Sequence, residues 1–142
     1  MAYQRLIQIE FNHCDPAGIV FYPRYFEMLN SVVENFFADV AGRSFAQMHL
    51  AGAGNGVPTV KIGAEFLAPS RLGEKVLFEL TVARLGGASA EMQITARLGA
   101  EQRLRAQLVL VWVAGLKAAP WPADMRDRIE AFMNDQTKES GA

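Results

Sequence analysis

Most residues of this chain that could do chemistry lie in one short run, positions 13–25, which reads HCDPAGIVFYPRY. Asp15 falls in a tight turn, and Pro23 can begin a helix because the first helical position needs no N–H. An acid and a set of free backbone N–H donors are thereby brought together. This arrangement suits attack on a carbonyl carbon, since the carboxylate can act as nucleophile or base and the donors can stabilise an oxyanion.

Asp15 has two interpretations when the residues are considered alone. Asp-Pro-Ala-Gly is typical of a type I turn, with Asp first, Pro second and Gly fourth, and this favours a turn role. A catalytic Asp15 would either attack the carbonyl carbon to give a mixed anhydride or deprotonate a water molecule, and the sequence leaves both routes open. The donors expected to be free at the helix start are the N–H groups of Tyr22, Arg24 and Tyr25.

Three neighbours of Asp15 each have alternative roles. Cys14 beside His13 suggests a nucleophile and its base, but adjacent residues in an extended chain point to opposite sides. We therefore expect Cys14 to be a small packed side chain. His13 either lines the pocket or hydrogen-bonds the turn. Gly18 either lets the backbone approach a ligand closely or completes the turn.

Composition and charge exclude several classes of protein. A chain of 142 residues, 51% of them hydrophobic, fits one domain with a real core. We place this domain at residues 1–134 and expect a polar, frayed tail at 135–142. With a net charge of −1 there is no basic face to neutralise phosphates, so no nucleic acid partner is expected. Two histidines and one cysteine make no metal site without added carboxylates, so no metal is expected.

The same counts bear on location. A single cysteine cannot build a disulfide framework, which fits a reducing cytoplasm. No apolar run reaches the roughly 20 residues that span a bilayer, and the polar residues within positions 1–10 do not fit a signal peptide. The sequence therefore predicts a cytoplasmic protein without a membrane partner.

The elements that must position the reactive run follow from hydrophobic periodicity. A strand is predicted at 3–11, and a long helix from Pro23 to Ala41 that ends at Gly42. The apolar stripe of this helix consists of Phe26, Leu29, Val33, Phe36, Phe37 and Val40, and we expect it to lie on a sheet. A short helical turn is predicted at 44–51.

After residue 57 the period changes to two. Strands are predicted at 58–67, 75–85, 89–98 and 103–114. We expect a bulge at Gly63 and a hairpin turn at Gly86-Gly87. A short helix at 122–134 completes the domain. One strand, one long helix and four antiparallel strands define an α+β protein with a helix laid across one sheet.

Two segments of the chain resemble the hotdog-fold acyl-CoA thioesterases, most closely the 4-hydroxybenzoyl-CoA thioesterase type. They are HCDPAGIVFYPRY and, at positions 57–76, VPTVKIGAEFLAPSRLGEKV. The resemblance covers roughly residues 3–114. It implies a hotdog fold, in which an antiparallel sheet wraps around one long central helix. It also implies that two subunits pair edge to edge, with active sites at their interface, and that the dimers pair into a homotetramer.

The resemblance also implies roles for individual residues. Asp15 would be the catalytic carboxylate, and the backbone N–H of Tyr22 would polarise the thioester carbonyl. Related thioesterases of the Tol–Pal-associated type carry a histidine where this chain has Tyr22, which favours the aryl-CoA type. We assign substrate binding to His13, Gly18, Ile19, Tyr25, Thr59, Arg84 and Ser89.

The hairpin at 84–89 departs from the family pattern. Enzymes of the aryl-CoA type have a basic cluster near this hairpin that binds the phosphates of CoA, whereas only Arg84 is basic here. Arg84 and Ser89 are therefore either phosphate contacts or solvated hairpin residues. Thr59 lies on the strand that faces the helix region.

The resemblance predicts hydrolysis of an acyl-CoA thioester to free acid and CoA. The expected acyl group is aromatic, such as 4-hydroxybenzoyl, and no cofactor is expected because CoA is part of the substrate. Three alternatives stay open: a short-chain aliphatic acyl-CoA thioesterase, a hotdog hydratase or dehydratase, and a non-catalytic acyl-CoA-binding protein.

Overall fold

The computed structural model describes the backbone of residues 1–140 and the side chains of residues 1–137. Its principal elements are β1 (Tyr3–Gln8), α1 (Arg24–Phe36), α2 (Phe45–Ala51), β2 (Thr59–Phe66), β3 (Lys75–Leu85), β4 (Ser89–Leu98), β5 (Glu101–Val111), β6 (Val113–Ala114), β7 (Lys117–Ala118) and α3 (Ala123–Ser140). A 3-10 turn at Phe11–His13 and a π-helical segment at Phe37–Ala41 lie between them.

Five strands form one antiparallel sheet in the order β1-β3-β4-β5-β2. The bounds of β3 and β4 are those predicted, because both strands alternate strictly and Gly86-Gly87 connects them. β1 ends at Gln8 instead of residue 11, since the chain there turns into the 3-10 segment. Among the described residues, β1 and β2 are the two edge strands.

A single apolar core fills the space between α1 and the sheet. β3 contributes Val76, Phe78, Leu80 and Val82, all of them buried. The prediction of the apolar stripe of α1 is wrong at one position, because Phe26 is 36% exposed. Its neighbour Tyr25 is buried in its place, while the Phe26 ring packs edge-on against Phe66 of β2 with 6.3 Å between centroids.

The helical chain continues beyond α1 through the π-helical segment and ends at Gly42, as predicted. Gly42 has φ +87°, a left-handed conformation that side chains with a Cβ rarely adopt. A Cβ at this position would also approach the side chain of Arg128 to 2.8 Å. The backbone conformation therefore favours glycine here, whereas the flexible end of the Arg128 side chain could move aside.

Three β-bulges interrupt the strand register. The extra residues are Val60 in β2, Ala83 in β3 and Arg103 in β5. The bulge predicted at Gly63 is wrong, since Gly63 pairs in register with Gln107. A glycine in a strand is only one cause of a bulge, and here the irregularity occurs near the start of β2.

The C-terminal third differs most from prediction. β5 ends at Val111, before the expected residue 114, because the chain leaves the sheet for the small hairpin of β6 and β7. α3 extends through residue 140, so most of the expected tail is helical, and residues 141–142 lie outside the described residues. The amide of Gln136 donates to the Val82 carbonyl at 2.6 Å and accepts from its N–H at 3.0 Å.

No helix within the described residues is long and apolar enough to cross a membrane.

Candidate active site

Residues 13–21 form a tight hairpin, called here the Asp15 hairpin. Cys14 pairs with Val20, and the Asp15 N–H donates to the Ile19 carbonyl at 3.1 Å. The turn closes when the Gly18 N–H donates to the Asp15 carbonyl at 2.9 Å. Gly18 has φ +78°, and a Cβ there would meet nothing within 4 Å. Of its two expected roles, the structure shows that Gly18 completes the turn.

The two carboxylate oxygens of Asp15 have different surroundings. Oδ1 accepts a hydrogen bond from the Ala17 N–H at 2.9 Å, which stabilises the turn. Oδ2 accepts no hydrogen bond from any described residue, and the side chain is only half-buried. Asp15 is therefore a turn residue that also presents one unengaged oxygen.

The helix start that follows the hairpin has one free donor, not three. The Arg24 N–H donates to the Phe21 carbonyl at 2.9 Å, and the Tyr25 N–H to the Tyr22 carbonyl at 3.1 Å. The expectation that these two groups are free is wrong, because the chain already turns at Tyr22-Pro23. The Tyr22 N–H donates to no acceptor within the described chain. It lies at the positive end of the α1 dipole, which attracts a developing negative charge.

His13 bonds the turn and also lines a groove. Its Nδ1 accepts from the Glu10 N–H at 2.8 Å, and its carbonyl accepts from the Phe21 N–H at 2.9 Å. The imidazole also borders a groove of about 380 Å³ between β1 and α1. Cys14 is half-buried, and its thiol donates to the Glu10 carbonyl at 3.6 Å.

The Asp15 hairpin docks on the connection between β2 and β3. The Val20 N–H donates to the Ser70 carbonyl at 2.9 Å, and the Leu72 N–H donates to the Gly18 carbonyl at 3.2 Å. Ile19 forms an isolated bridge with Arg71. The hairpin is thus fixed by a segment about 50 residues further along the chain.

An apolar groove of about 580 Å³ opens beside the hairpin, and we call it the aromatic groove. Its lining is Ile19, Val20, Tyr22, Tyr25 and residues 66–69. The Phe66 ring stacks on Tyr25 at 5.6 Å and meets Tyr22 edge-on at 5.8 Å. Burial raises the pKa of the Tyr25 hydroxyl, so this group stays protonated. Phe66 was not predicted as a site residue, because strand periodicity alone does not show which helix it faces.

The structure does not bring Thr59, Arg84 and Ser89 to this place. Thr59 begins β2, about 23 Å along the strand from Phe66, and lines a separate cavity of about 340 Å³ with Asn30 and His49. Arg84 is near the end of β3. It lies roughly 30 Å along that strand from the β2–β3 connection on which the Asp15 hairpin docks. Ser89 lies on the same distant hairpin. No cluster of three or more metal-ligating side chains occurs within the described residues.

Comparisons with known proteins indicate the family and the fold of this chain. A family model for the thioesterase superfamily matches residues 17–104, more than half of the chain. The 4-hydroxybenzoyl-CoA thioesterase of Pseudomonas sp. (strain CBS-3) is 29% identical over 75 residues. The match covers 53% of this chain and 53% of that enzyme, so the chain spans about half the length of this curated relative.

Several solved structures share the fold at low sequence identity. A 1,4-dihydroxy-2-naphthoyl-CoA thioesterase from Synechocystis has a TM-score of 0.82 at 22% identity, covering 91% of this chain and 96% of its own. A Thermus thermophilus thioesterase complexed with coenzyme A and Zn has a TM-score of 0.78 at 22% identity, covering 92% and 93%. A variant of 4-hydroxybenzoyl-CoA thioesterase with its substrate bound has 0.77 at 23%, covering 90% and 98%.

The fold is therefore the hotdog fold, as the sequence resemblance implied. The chain belongs to the thioesterase superfamily, a family of thioester hydrolases. The family match begins at Ala17, two residues after Asp15. Asp15 therefore lies outside the family match, and the case for its role depends on the geometry of the hairpin.

Proposed function

We propose that this protein hydrolyses acyl-CoA thioesters to a free acid and CoA, with Asp15 and the Tyr22 N–H as its catalytic groups. One observation carries the proposal: a carboxylate with an unengaged oxygen and an unpaired helix-start N–H belong to one short stretch of chain. The thioester carbonyl would accept from the Tyr22 N–H, and the positive end of α1 would stabilise the oxyanion that forms.

Asp15 acts in this scheme as nucleophile or as general base. As nucleophile, its Oδ2 adds to the carbonyl carbon, the carbon–sulfur bond breaks, and CoA leaves as a thiolate that takes up a proton. Water then hydrolyses the mixed anhydride. As a base, Asp15 takes a proton from the attacking water molecule. Because a thiolate is a good leaving group, one carboxylate suffices, and no cofactor beyond the CoA of the substrate is needed.

The aromatic groove supports an aromatic acyl group. An aryl ring placed near Tyr22 would meet the faces and edges of Tyr22, Tyr25 and Phe66, and such contacts favour aromatic over aliphatic groups. The Pseudomonas relative acts, by its name, on 4-hydroxybenzoyl-CoA. We therefore propose an aromatic acyl-CoA of that kind as the substrate. A preference for short aliphatic acyl-CoAs is the competing outcome.

The assembly that we propose is a homodimer formed through β2, with dimers pairing into a homotetramer. β2 is an edge strand, and Val60 and Ile62 on it are 60% and 41% exposed. An apolar edge strand of this length is a template for pairing with another chain. A partner subunit would cover the open aromatic groove, and Arg84 and Ser89 would reach CoA phosphates only across such an interface. We place the enzyme in the cytoplasm, where its half-buried thiol stays reduced.

Release of free thiol from aromatic and aliphatic acyl-CoAs tests the proposal. Asp15→Asn is the informative variant, because an amide oxygen can still accept from the Ala17 N–H and preserve the turn. We expect its kcat to fall by at least about 100-fold, since the carboxylate makes or activates the attacking oxygen.

Asp127→Asn, on the exposed side of α3, is the matched control and should hydrolyse as the wild type does. Wild-type turnover in Asp15→Asn would rule out the mechanism. A wild type that releases thiol only from aliphatic esters would rule out the aromatic substrate but not the mechanism. A wild type that binds the esters without releasing thiol would rule out hydrolysis itself.

A further inference from the structure

Arg103 occupies an unusual position in β5. Ala96 of β4 pairs with Leu104, while the next residue, Arg97, pairs with Gln102, so Arg103 is the extra residue of a β-bulge. Bulges redirect the side chain that they carry. Arg103 is only 5% exposed, whereas Arg105, two residues further along the strand, is exposed. The bulge thus directs a cation inward.

The guanidinium of Arg103 binds the chain just before β3 at several points. Nη1 donates to Glu74 Oε1 at 2.8 Å, to the Pro69 carbonyl at 3.1 Å and to Ser70 Oγ at 3.2 Å. Nη2 donates to Glu74 Oε2 at 3.3 Å. Glu101 makes an ion pair with Nε at 2.6 Å. We call the group of Pro69, Ser70, Glu74 and Arg103 the Arg103 clasp.

The backbone of Arg103 fixes the other end of the same segment. Its carbonyl accepts from the Leu67 N–H at 2.9 Å. Within the segment, Glu74 Oε1 also accepts from the Arg71 N–H at 2.6 Å. The guanidinium beside Glu74 holds the pKa of that carboxyl below its ordinary value, so the pair remains charged. Residues 67–74 are therefore fixed at both ends by one residue of β5.

Residues 67–74 are also the segment on which the Asp15 hairpin docks. The Ser70 carbonyl that accepts from the Val20 N–H belongs to the residue whose hydroxyl accepts from Arg103. The Tyr25 hydroxyl, from the first turn of α1, is buried without a hydrogen bond among the described residues, beside the same Ser70. The hairpin and the helix start thus both rest on the clasp.

A contribution to stability alone does not explain this arrangement. A buried ion pair must overcome the cost of removing both charges from water, and apolar replacements of such pairs are often no less stable. Arginine does differ from apolar side chains in its planar set of fixed donors, which here engages three residues at once. The Arg103 clasp therefore fixes the position of residues 69–74 more specifically than apolar packing would.

We propose that Arg103 is a positioning residue of the thioester site, setting the Asp15 hairpin and the Tyr22 N–H through residues 69–74. The proposal rests on the proposed function for its kinetic consequence only. Small displacements of reacting groups have large effects on rate, about 100-fold for a shift of 1 Å. Loss of the clasp should therefore lower kcat more than it lowers the affinity for substrate.

The test uses the double variant Arg103→Met/Glu74→Gln, which removes both charges and keeps an acceptor for the Arg71 N–H. Arg97→Met is the matched control, because the guanidinium of Arg97 also pairs with a partly buried glutamate, Glu79 at 2.7 Å, but its other hydrogen bond is to the Gly99 carbonyl and not to residues 67–74. Two quantities are measured: amide hydrogen exchange of peptides covering residues 16–22 and 67–74, and kcat with KM for thiol release. Hydrogen exchange can be measured on a protein without activity. It therefore tests the structural role of Arg103 separately from the proposed thioesterase function.

We expect the folded double variant to exchange the Val20 and Leu72 amides at least about 10-fold faster, with kcat reduced about 10- to 100-fold and KM nearly unchanged. Arg97→Met should match the wild type in both. Wild-type exchange of the hairpin in the double variant would overturn the proposal. If that variant does not fold, Arg103→Lys decides, since a lysine cannot engage all three partners and should give intermediate values. Wild-type exchange in Arg103→Lys would equally overturn the proposal.

Discussion

At the scale of single residues, the two carboxylate oxygens of Asp15 have different surroundings, and this difference defines the candidate site. Oδ1 of Asp15 is engaged by the Ala17 N–H, so the orientation of the carboxylate is fixed before any ligand arrives. Oδ2 remains available, and for the catalytic role that we propose, a carboxylate that is already oriented avoids part of the entropy cost of reaction. The DPAG sequence predicted the turn, and the family resemblance predicted the chemistry. The structure is compatible with both, because the turn engages Oδ1 and leaves Oδ2 for the chemistry that we propose.

Gly18 gives a prediction at this scale. Gly18→Ala would place a Cβ on a residue with φ +78°, in space that is otherwise open, so the cost is conformational and not steric. We expect a loss of about 1 kcal/mol in the free energy of unfolding and a lower kcat, because the turn carries Asp15.

Urea denaturation and thiol release measure the two effects of Gly18→Ala. Gly87→Ala is the matched control, since it too has open space but no left-handed φ. Equal stability of Gly18→Ala and Gly87→Ala would contradict the turn assignment.

At the scale of elements, sequence alone predicted what depends on local pattern. β3 and β4 were found at their observed bounds, because alternating side chains and a Gly-Gly turn leave little freedom. The burial of Arg103 could not be predicted from local sequence pattern. Its side chain turns inward only because β5 bulges and residues 67–74 cover it, and both depend on contacts between distant parts of the chain.

The failures at the helix start have a similar origin. Counting donors at α1 gave three free N–H groups, but the turn before the helix uses two of them. Phe26 follows the apolar periodicity, yet α1 is rotated so that Tyr25 is buried in its place. The rotation of a helix about its axis is set by what it packs against, and periodicity fixes it only to within about one residue.

The clasp predicts a pH dependence of stability. Because Arg103 lowers the pKa of Glu74 in the folded state, the unfolded chain binds the proton more tightly. The stabilisation is therefore fully present above the ordinary pKa of 4.5 and is lost as the pH falls through the lowered value. Arg103→Met should weaken this dependence, since the largest cause of the shift is gone.

Urea midpoints measured from about pH 6 to about pH 3 test this dependence, because the loss occurs below the ordinary pKa of Glu74. The wild type should lose more stability over that interval than Arg103→Met loses. Parallel curves for the two proteins would show that Glu74 titrates independently of Arg103.

At the scale of the whole molecule, the two edges of the sheet are unequal. β1 is partly covered at its end of the sheet by α3, whose Gln136 amide occupies the N–H and carbonyl of Val82 beyond the last residue paired with β1. The opposite edge, β2, is exposed along most of its length. The dimer that we propose uses the edge without such cover.

Ile62→Lys tests the assembly. A lysine at this exposed position of β2 would place a charge on the proposed interface, and we expect the dimer to dissociate at least about 10-fold more readily. Sedimentation velocity over a range of protein concentrations measures the change. Leu6→Lys, which alters a comparably exposed leucine on β1, should leave the assembly intact. Dissociation by Leu6→Lys alone would assign the interface to the other edge.

The residues of the Asp15 hairpin and of the Arg103 clasp are translated at different times. The Asp15 hairpin leaves the ribosome early, the segment on which it docks follows much later, and Arg103 is translated only after β4. A nascent chain therefore carries Asp15 well before it carries Arg103, the residue that we propose orients it. Under the proposed function, we expect translation products that end before β5 to be inactive toward thioesters, because they lack Arg103.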